Sequence, residues 1–411
     1  MVEGSKDAAA LRIKPMSTAL LILIYFAFIS LGLPDGVLGA GWPAMQSEFR
    51  IPYGLAGLVH MVTAGGTIVS SVSAGHVLRR FGTGKVAAFS VGLTAVALFG
   101  FSASPSFWWL LLAAVPLGLG AGAVDAGLNA FVAAHYESRH MSWLHCFWGI
   151  GALSGPLVLS LFLSRGGSWR SGYLSIGILQ FVLVGALVIA MPLWAKVPGR
   201  DLGESPQNET PPRPFSFLLK LRGVKWTLAT FLIYCGIEST MGLWGGSFLF
   251  KVKACDAASA ARWVSMFYAS ITVGRFFTGF VTYRLSNTAL IRAGALTILA
   301  GVTLMLAPLS LPFSLAGFAF VGLGCAPIFP CMLHETPVKF GEKNAQVLMG
   351  IQMAVAYVGA TFLPPIFGFV ASAASLAILP AVLLGYACIL LIGSERTRWL
   401  SAKKQGYGQI K

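Results

Sequence analysis

Apolar runs of twenty or more residues recur along this 411-residue chain with almost no charge inside them. Met16 to Ala40, Phe107 to Ala134 and Ala374 to Ile392 are three of many. A helix needs about 20 consecutive apolar residues to cross the hydrocarbon core of a bilayer. In lipid every backbone polar group must be bonded within the protein, which such helices achieve. Composition points the same way. The chain is 56% hydrophobic and only 10% charged, whereas a soluble domain carries about 25% charged residues. A soluble fold would lack the polar surface to cover so much apolar sequence. The 48 glycines and 21 prolines suit helices that approach closely in lipid, where neighbours satisfy the carbonyls that proline frees.

Breaking the hydrophobicity at charged or Gly/Pro/Ser-rich turns predicts an all-α membrane protein with twelve transmembrane helices. The predicted spans are 17–41, 54–78, 84–104, 107–134, 141–163, 171–195, 226–250, 260–283, 288–308, 311–334, 345–371 and 374–394. Between the sixth and seventh, the stretch 196–225 contains the polar, Pro-rich G-E-S-P-Q-N-E-T-P-P-R-P and reads as a linker. The organisation expected is an N-terminal arm (1–16), a six-helix bundle (17–195), the linker, a second six-helix bundle (226–394) and a tail (395–411). With the N-terminus in the cytoplasm, 22 of the 29 Lys and Arg fall on the cytoplasmic side, 6 fall outside, and Arg275 lies within a span. That asymmetry follows the positive-inside rule and puts both termini in the cytoplasm. The first span is too long for a cleavable signal and lacks an A-x-A stop; a bacterial inner membrane is the expected location.

The net charge of +15 does not point to nucleic acid. The basic residues are scattered singly through loops and form no patch or aromatic-interleaved stripe. The six cysteines, Cys146, Cys235, Cys255, Cys325, Cys331 and Cys388, sit mostly in apolar runs without metal-ligand spacing, so neither a metal site nor a disulfide framework is expected. No H-E-x-x-H and no G-x-S-x-G is present, which argues against a membrane hydrolase. No cofactor is expected, and the expected state is a monomer among membrane lipids.

The two halves echo each other. Gly75-His-Val-Leu-Arg-Arg-Phe-Gly closes span 2 and Gly279-Phe-Val-Thr-Tyr-Arg-Leu-Ser closes span 8, an offset of 204 (279 minus 75). Gly118-Leu-Gly in span 4 and Gly322-Leu-Gly in span 10 share that offset (322 minus 118 is 204). Gly151-Ala-Leu-Ser-Gly-Pro in span 5 matches Gly359-Ala-Thr-Phe-Leu-Pro in span 11 at 208 (359 minus 151). Three matches in chain order predict two pseudo-symmetric six-helix bundles. Such parallel repeats build facilitator-type transporters.

The stretch G-H-V-L-R-R-F-G-T-G-K from Gly75 resembles the 2–3 loop signature of the major facilitator superfamily, G-x-x-x-D-R-x-G-R-[KR]. Arg79 stands where that signature has Asp, so the resemblance marks it as a charge-pairing or gating position. Three further stretches resemble the fucose–galactose–glucose–proton symporter group. Ala123-Val-Asp-Ala-Gly-Leu-Asn-Ala resembles E-T-x-x-N-P, with Asp125 on the acid and Asn129 on the amide. Pro34 to Pro43 resembles the span-1 segment N-D-x-L-x-P, with Asp35 on the acid. Leu144-His-Cys-Phe-Trp-Gly-Ile-Gly resembles A-Q-x-F-N-x-x-G, placing His145 on the sugar-binding Gln. The resemblance implies a secondary transporter for a sugar, coupled to protons.

Charged side chains in mid-membrane cost at least about 2.5 kcal/mol on insertion scales and mark transport pathways. Asp125 lies mid-span 4 with Asn129 four residues on, on the same helix face. Asp35 lies in span 1 between Pro34 and Gly36, a context that loosens a helix. Glu238 lies mid-span 7. These three acids are the candidate proton-coupling groups. The bland readings are polar glue between helices for Asp125, an early span end for Asp35, and a structural pair with Arg275 of span 8 for Glu238. His145, Trp148, Trp244, Tyr268, Gln352 and Tyr357 join Asp35, Asp125, Asn129 and Glu238 as candidate substrate contacts. Anchoring at the interface or facing lipid is the alternative for the tryptophans, a packing role is that for His145, and His60 is a weaker candidate. Arg275 is a candidate for charge pairing.

Taken together, the sequence predicts alternating access for a small polar solute, with a sugar favoured and protons as the coupling ion; carboxylates serve sodium as well. An exporter of amphipathic compounds or lipids, and a non-transporting membrane receptor, are the competing readings.

Overall fold

The computed structural model describes residues 18–136, 138–195, 215–282 and 284–407, and among these the regular structure is entirely helical. The first half contains α1 (Thr18–Gly32), α2 (Val37–Phe49), α3 (Leu55–Phe81), α4 (Thr83–Ser102), α5 (Phe107–His135), α6 (Ser138–Ser164), α7 (Trp169–Ile189) and the short α8 (Met191–Ala195). The second contains the short α9 (Phe215–Leu218), α10 (Val224–Lys251), α11 (Ala257–Val281), α12 (Asn287–Leu306), α13 (Leu311–Cys325), α14 (Ile328–Phe340), α15 (Glu342–Ala373) and α16 (Leu379–Tyr407). The predicted arm, linker residues 196–214 and residues 408–411 lie outside the described residues.

Two spans are broken in the middle. The first divides into α1 and α2 at Leu33-Pro34-Asp35-Gly36, where the amides of Asp35 and Val37 reach back only three residues, to Gly32 and Pro34, at 3.1 Å each. Proline lacks the amide that a continuous helix needs and disfavours helix in the residue before it. Ala326-Pro327 separates α13 from α14 in the same way. The spans also run longer than the apolar pattern predicts. The first reaches Phe49 rather than 41, the tenth reaches Phe340 rather than 334, and the predicted tail from 395 is helix as far as Tyr407. Helix outlasts apolarity there because Glu395 bonds Arg398 one turn on and Arg292 of α12. Among the described residues, eleven helical segments are long and apolar enough to cross a membrane, each broken span counting as one. The twelfth, α10, is more polar. It buries nineteen of its residues against the rest of the protein, so it needs less lipid-compatible surface than its neighbours.

The internal repeat is visible in the packing. In the first half α3 packs on α5, α5 on α4, α4 on α7 and α1 on α6. In the second half the equivalent helices pair identically: α11 on α13, α13 on α12, α12 on α16 and α10 on α15. The echoed glycines sit at equivalent crossings. A side chain at Gly118 would strike the Thr63 carbonyl, and one at Gly322 the Phe267 carbonyl, again 204 residues on (267 minus 63). Gly151 presses on the Ile29 carbonyl of α1, and Gly359 on the Leu232 carbonyl of α10. Small residues at such points let helix backbones touch, which is how helices associate in lipid.

The halves meet at the end where α2 finishes and α11 begins. There α2 packs on α10 and α11, α3 on α15, and α6 on α11. The Gly54 amide donates to Ser372 Oγ at 2.9 Å, Ser160 to the Ala258 carbonyl at 2.8 Å, and Ser265 to the Leu153 carbonyl at 2.6 Å. Toward the opposite end α5 packs only within the first half and α14 only within the second.

Candidate functional site

The break between α1 and α2 presents Asp35, which is exposed although it sits midway along its span. Trp148 of α6 donates its indole N–H to Asp35 Oδ2 at 2.8 Å. One helix away, Asn129 of α5 donates to Asp125 Oδ1 at 2.8 Å and to the Asp125 carbonyl at 3.0 Å. The four-residue spacing brings amide and acid together, as the helix period requires, and both remain partly open.

In the second half, Glu238 of α10 is matched by Arg275 of α11. The guanidinium Nη2 lies 3.3 Å from Glu238 Oε2 and 3.4 Å from the Tyr234 hydroxyl, and that hydroxyl also donates to Glu238. Both charged side chains are largely enclosed, at 18% and 17% exposure. Arg275 extends further: its Cζ stands 5.4 Å from the centre of the Trp148 ring. The three carboxylates lie in one electrostatic neighbourhood, with Asp125 and Glu238 both acting on Asp35. Glu238 is compensated by a cation. Among the described residues, neither Asp35 nor Asp125 has an ion-pair partner.

Other candidates fall around this group or away from it. His145 is exposed on α6, edge-on to Phe28 at 6.2 Å and within electrostatic reach of Arg275. Tyr357 of α15 is partly open and within reach of Ser71 of α3 and of Asp125. Tyr268 is buried between Gly36 at the span-1 break and Gly242 of α10, on the closed side of the site. Trp244 and Gln352 belong to the packing instead. Trp244 is fully buried, donates to the Pro364 carbonyl at 2.8 Å and packs on Phe367. Gln352 is 1% exposed and accepts from Thr336 at 2.8 Å. The sequence pattern could not separate these two from the open positions, because helical spacing alone does not say which face looks inward. His60 bonds the Ala360 carbonyl at 2.9 Å and ties α3 to α15. Arg79 is exposed in the last turn of α3, remote from the carboxylates and, among the described residues, without an ion-pair partner.

Tyr234 is the group that the sequence reading missed. Its signal was its place one turn before Glu238, at the spacing that joins Asp125 and Asn129. A separate polar cluster, Glu335 with Lys339 and Thr288, borders a small cavity among α10, α12, α14 and α16. Glu335 is already paired there.

Twelve helices in two repeated bundles, joined at one end, define a membrane transporter of the two-half type. The model of the Major Facilitator Superfamily matches residues 24–364, and the chain belongs to that superfamily; it is a transporter and not an enzyme. The glucose/mannose transporter GlcP of Bacillus subtilis is 26% identical over 305 residues, covering 71% of this chain and 73% of that protein. A bacterial homolog of the human lysosomal transporter Spinster, solved in an inward-facing and occupied conformation, superposes with a TM-score of 0.72 at 14% identity, covering 95% of this chain and 97% of that one. The E. coli fucose:proton symporter FucP, solved in the outward conformation, superposes with a TM-score of 0.60 at 15% identity, covering 92% and 98%.

Proposed function

We propose that this chain is a secondary active transporter that moves a small polar solute, a sugar, by alternating access coupled to protons. The observation that carries the reading is the pair of uncompensated carboxylates, Asp35 and Asp125, one exposed at a helix break and the other bonded by Asn129. Among the described residues, neither has the neighbouring cation that would hold a carboxylate in its charged form. Glu238, held by Arg275, is the less apt carrier. Asn129, His145, Trp148 and Tyr357 offer the donors, acceptors and ring faces that a sugar needs. The glucose/mannose relative supports a sugar.

Orientation follows from the charge asymmetry, which puts the loops after α3, α5 and α14 in the cytoplasm. The end where the halves meet is then the outer one, and the site opens inward. The closer superposition on an inward-facing neighbour agrees with this.

Proteoliposomes loaded with the purified chain test the reading. D-glucose or D-mannose added outside should drive alkalinisation of the medium. D35N and D125N should each abolish uptake against a gradient. If both variants keep the wild-type pH dependence of uptake, the mechanism is wrong.

A further inference from the structure

Trp148 touches both halves of the molecule at once. Its N–H is bonded to Asp35 of the first half at 2.8 Å, and its ring carries the guanidinium of Arg275, from the second half, at 5.4 Å. Arg275 in turn is bonded to Glu238 and Tyr234. The backbone beneath the ring is clamped. A side chain at Gly32 of α1 would run into the Trp148 carbonyl, and one at the adjacent Gly149 would run into Thr272 of α11. So α6 passes in contact between α1 and α11, and the backbone that carries the indole is held on both sides.

We propose that Trp148 is a positioning residue that reports the charge of Asp35 in the first half to the Arg275–Glu238 pair in the second. The inference rests on the reading above that Asp35 exchanges a proton. A hydrogen bond to an ionised carboxylate is roughly twice as strong as one to a neutral group. Donation to an anion also enriches the ring, and a cation over an electron-rich, desolvated ring is held more firmly. Ionised Asp35 therefore fastens Trp148 and, through it, Arg275, beneath the end where the halves are joined. A proton on Asp35 loosens both contacts together. The halves are then freer to part at that end and to close at the other.

The groups around this chain are few. Asp125 of α5, Glu238 of α10 and Tyr268 of α11 act on Asp35. His145 and Cys146 of α6, Tyr234 and Cys235 of α10, and Cys325 of α13 act with Arg275. A substrate-stacking role for Trp148 would make it matter only when solute is bound. The reporting role acts with protons alone, and this separates the two.

The test uses the full chain in lipid nanodiscs, with protons as the only ligand. Spin labels at Arg79→Cys and Val338→Cys, exposed positions near the ends of α3 and α14, report the opening between the halves. Accessible native cysteines are replaced by serine. Lowering the pH from 8 to 5 should add a shorter-distance population in the parent chain. D35N should show that population at every pH. W148F, which keeps a ring but loses the N–H, should lose the pH-dependent shift. R275K keeps a cation for Glu238 but stacks less well and should lose most of it, so it decides the matter if W148F does not fold. A parent chain that does not respond to pH overturns the proposal, as does a full shift in W148F, R275K or D35N. Absence of sugar uptake with the shift intact would overturn the sugar reading and leave this inference standing.

Discussion

Removing the guanidinium of Arg275 would strand Glu238 inside the bundle, with only the Tyr234 hydroxyl to bond it. Breaking a buried ion pair from one side costs about 3–5 kcal/mol, whereas removing both charges is close to neutral. R275Q should therefore lower the thermal unfolding midpoint in detergent well below that of the double variant R275Q/E238Q. A double variant as unstable as the single one would show that the pair is not the reason these residues are tolerated in mid-membrane. Asp35 differs because no cation holds it. Its indole bond and exposure leave it in the site without a fixed counter-charge, as the proposed proton exchange requires.

At the scale of the helix, the repeated glycines and the caps carry separate predictions. Gly322→Val would drive a branched side chain into the Phe267 backbone and Gly118→Val one into the Thr63 backbone. Each should destabilise by about 1–3 kcal/mol, the range for overpacking, measured as loss of thermal stability in detergent. Gly350→Ala in α15 meets nothing within 4 Å and should be neutral or slightly stabilising, since alanine favours helix. Equal tolerance at all three sites would refute the view that small residues set these crossings. The α11 N-cap is Asp256, whose carboxylate accepts the Ser259 amide at 2.9 Å. D256A should cost about 1 kcal/mol. The Ser259 hydrogen bonds hold the Asp256 carboxyl below its usual 3.8. A depressed native value means the contribution is present above about pH 4 and fades as the pH falls through the lower native one. The stability gap between D256A and the parent chain should accordingly narrow in acid.

At the scale of the whole molecule, side chain–backbone bonds cross between the halves at the end where they meet. Ser265 reaches Leu153, Ser160 reaches Ala258, and His60 reaches Ala360. Each such bond is worth about 1 kcal/mol net, so few need be lost to shift a two-state equilibrium. The double variant S160A/S265A should raise the population open at that end about tenfold or more. Distances between spin labels at Arg165→Cys and Val252→Cys, both exposed at that end, would lengthen accordingly. An unchanged distribution would mean that apolar packing, rather than these bonds, holds the seal.

Much of this molecule was legible in the chain because lipid leaves so few options. Apolar run length, the charge asymmetry and the 204-residue echo led to twelve helices in two halves, and Pro34-Asp35-Gly36 marked the break in the first. Asp125 with Asn129 was readable because four residues make one helical turn. The sequence alone could not choose which polar residues look into the site. Trp244 and Trp148 carry the same side chain in similar apolar surroundings, yet one is sealed against Pro364 and Phe367 and the other bridges Asp35 and Arg275. That difference depends on how helices distant in sequence are rotated against each other. It is set by contacts such as Gly149 on Thr272 and Gly36 on Tyr268, which exist only once the two halves are packed.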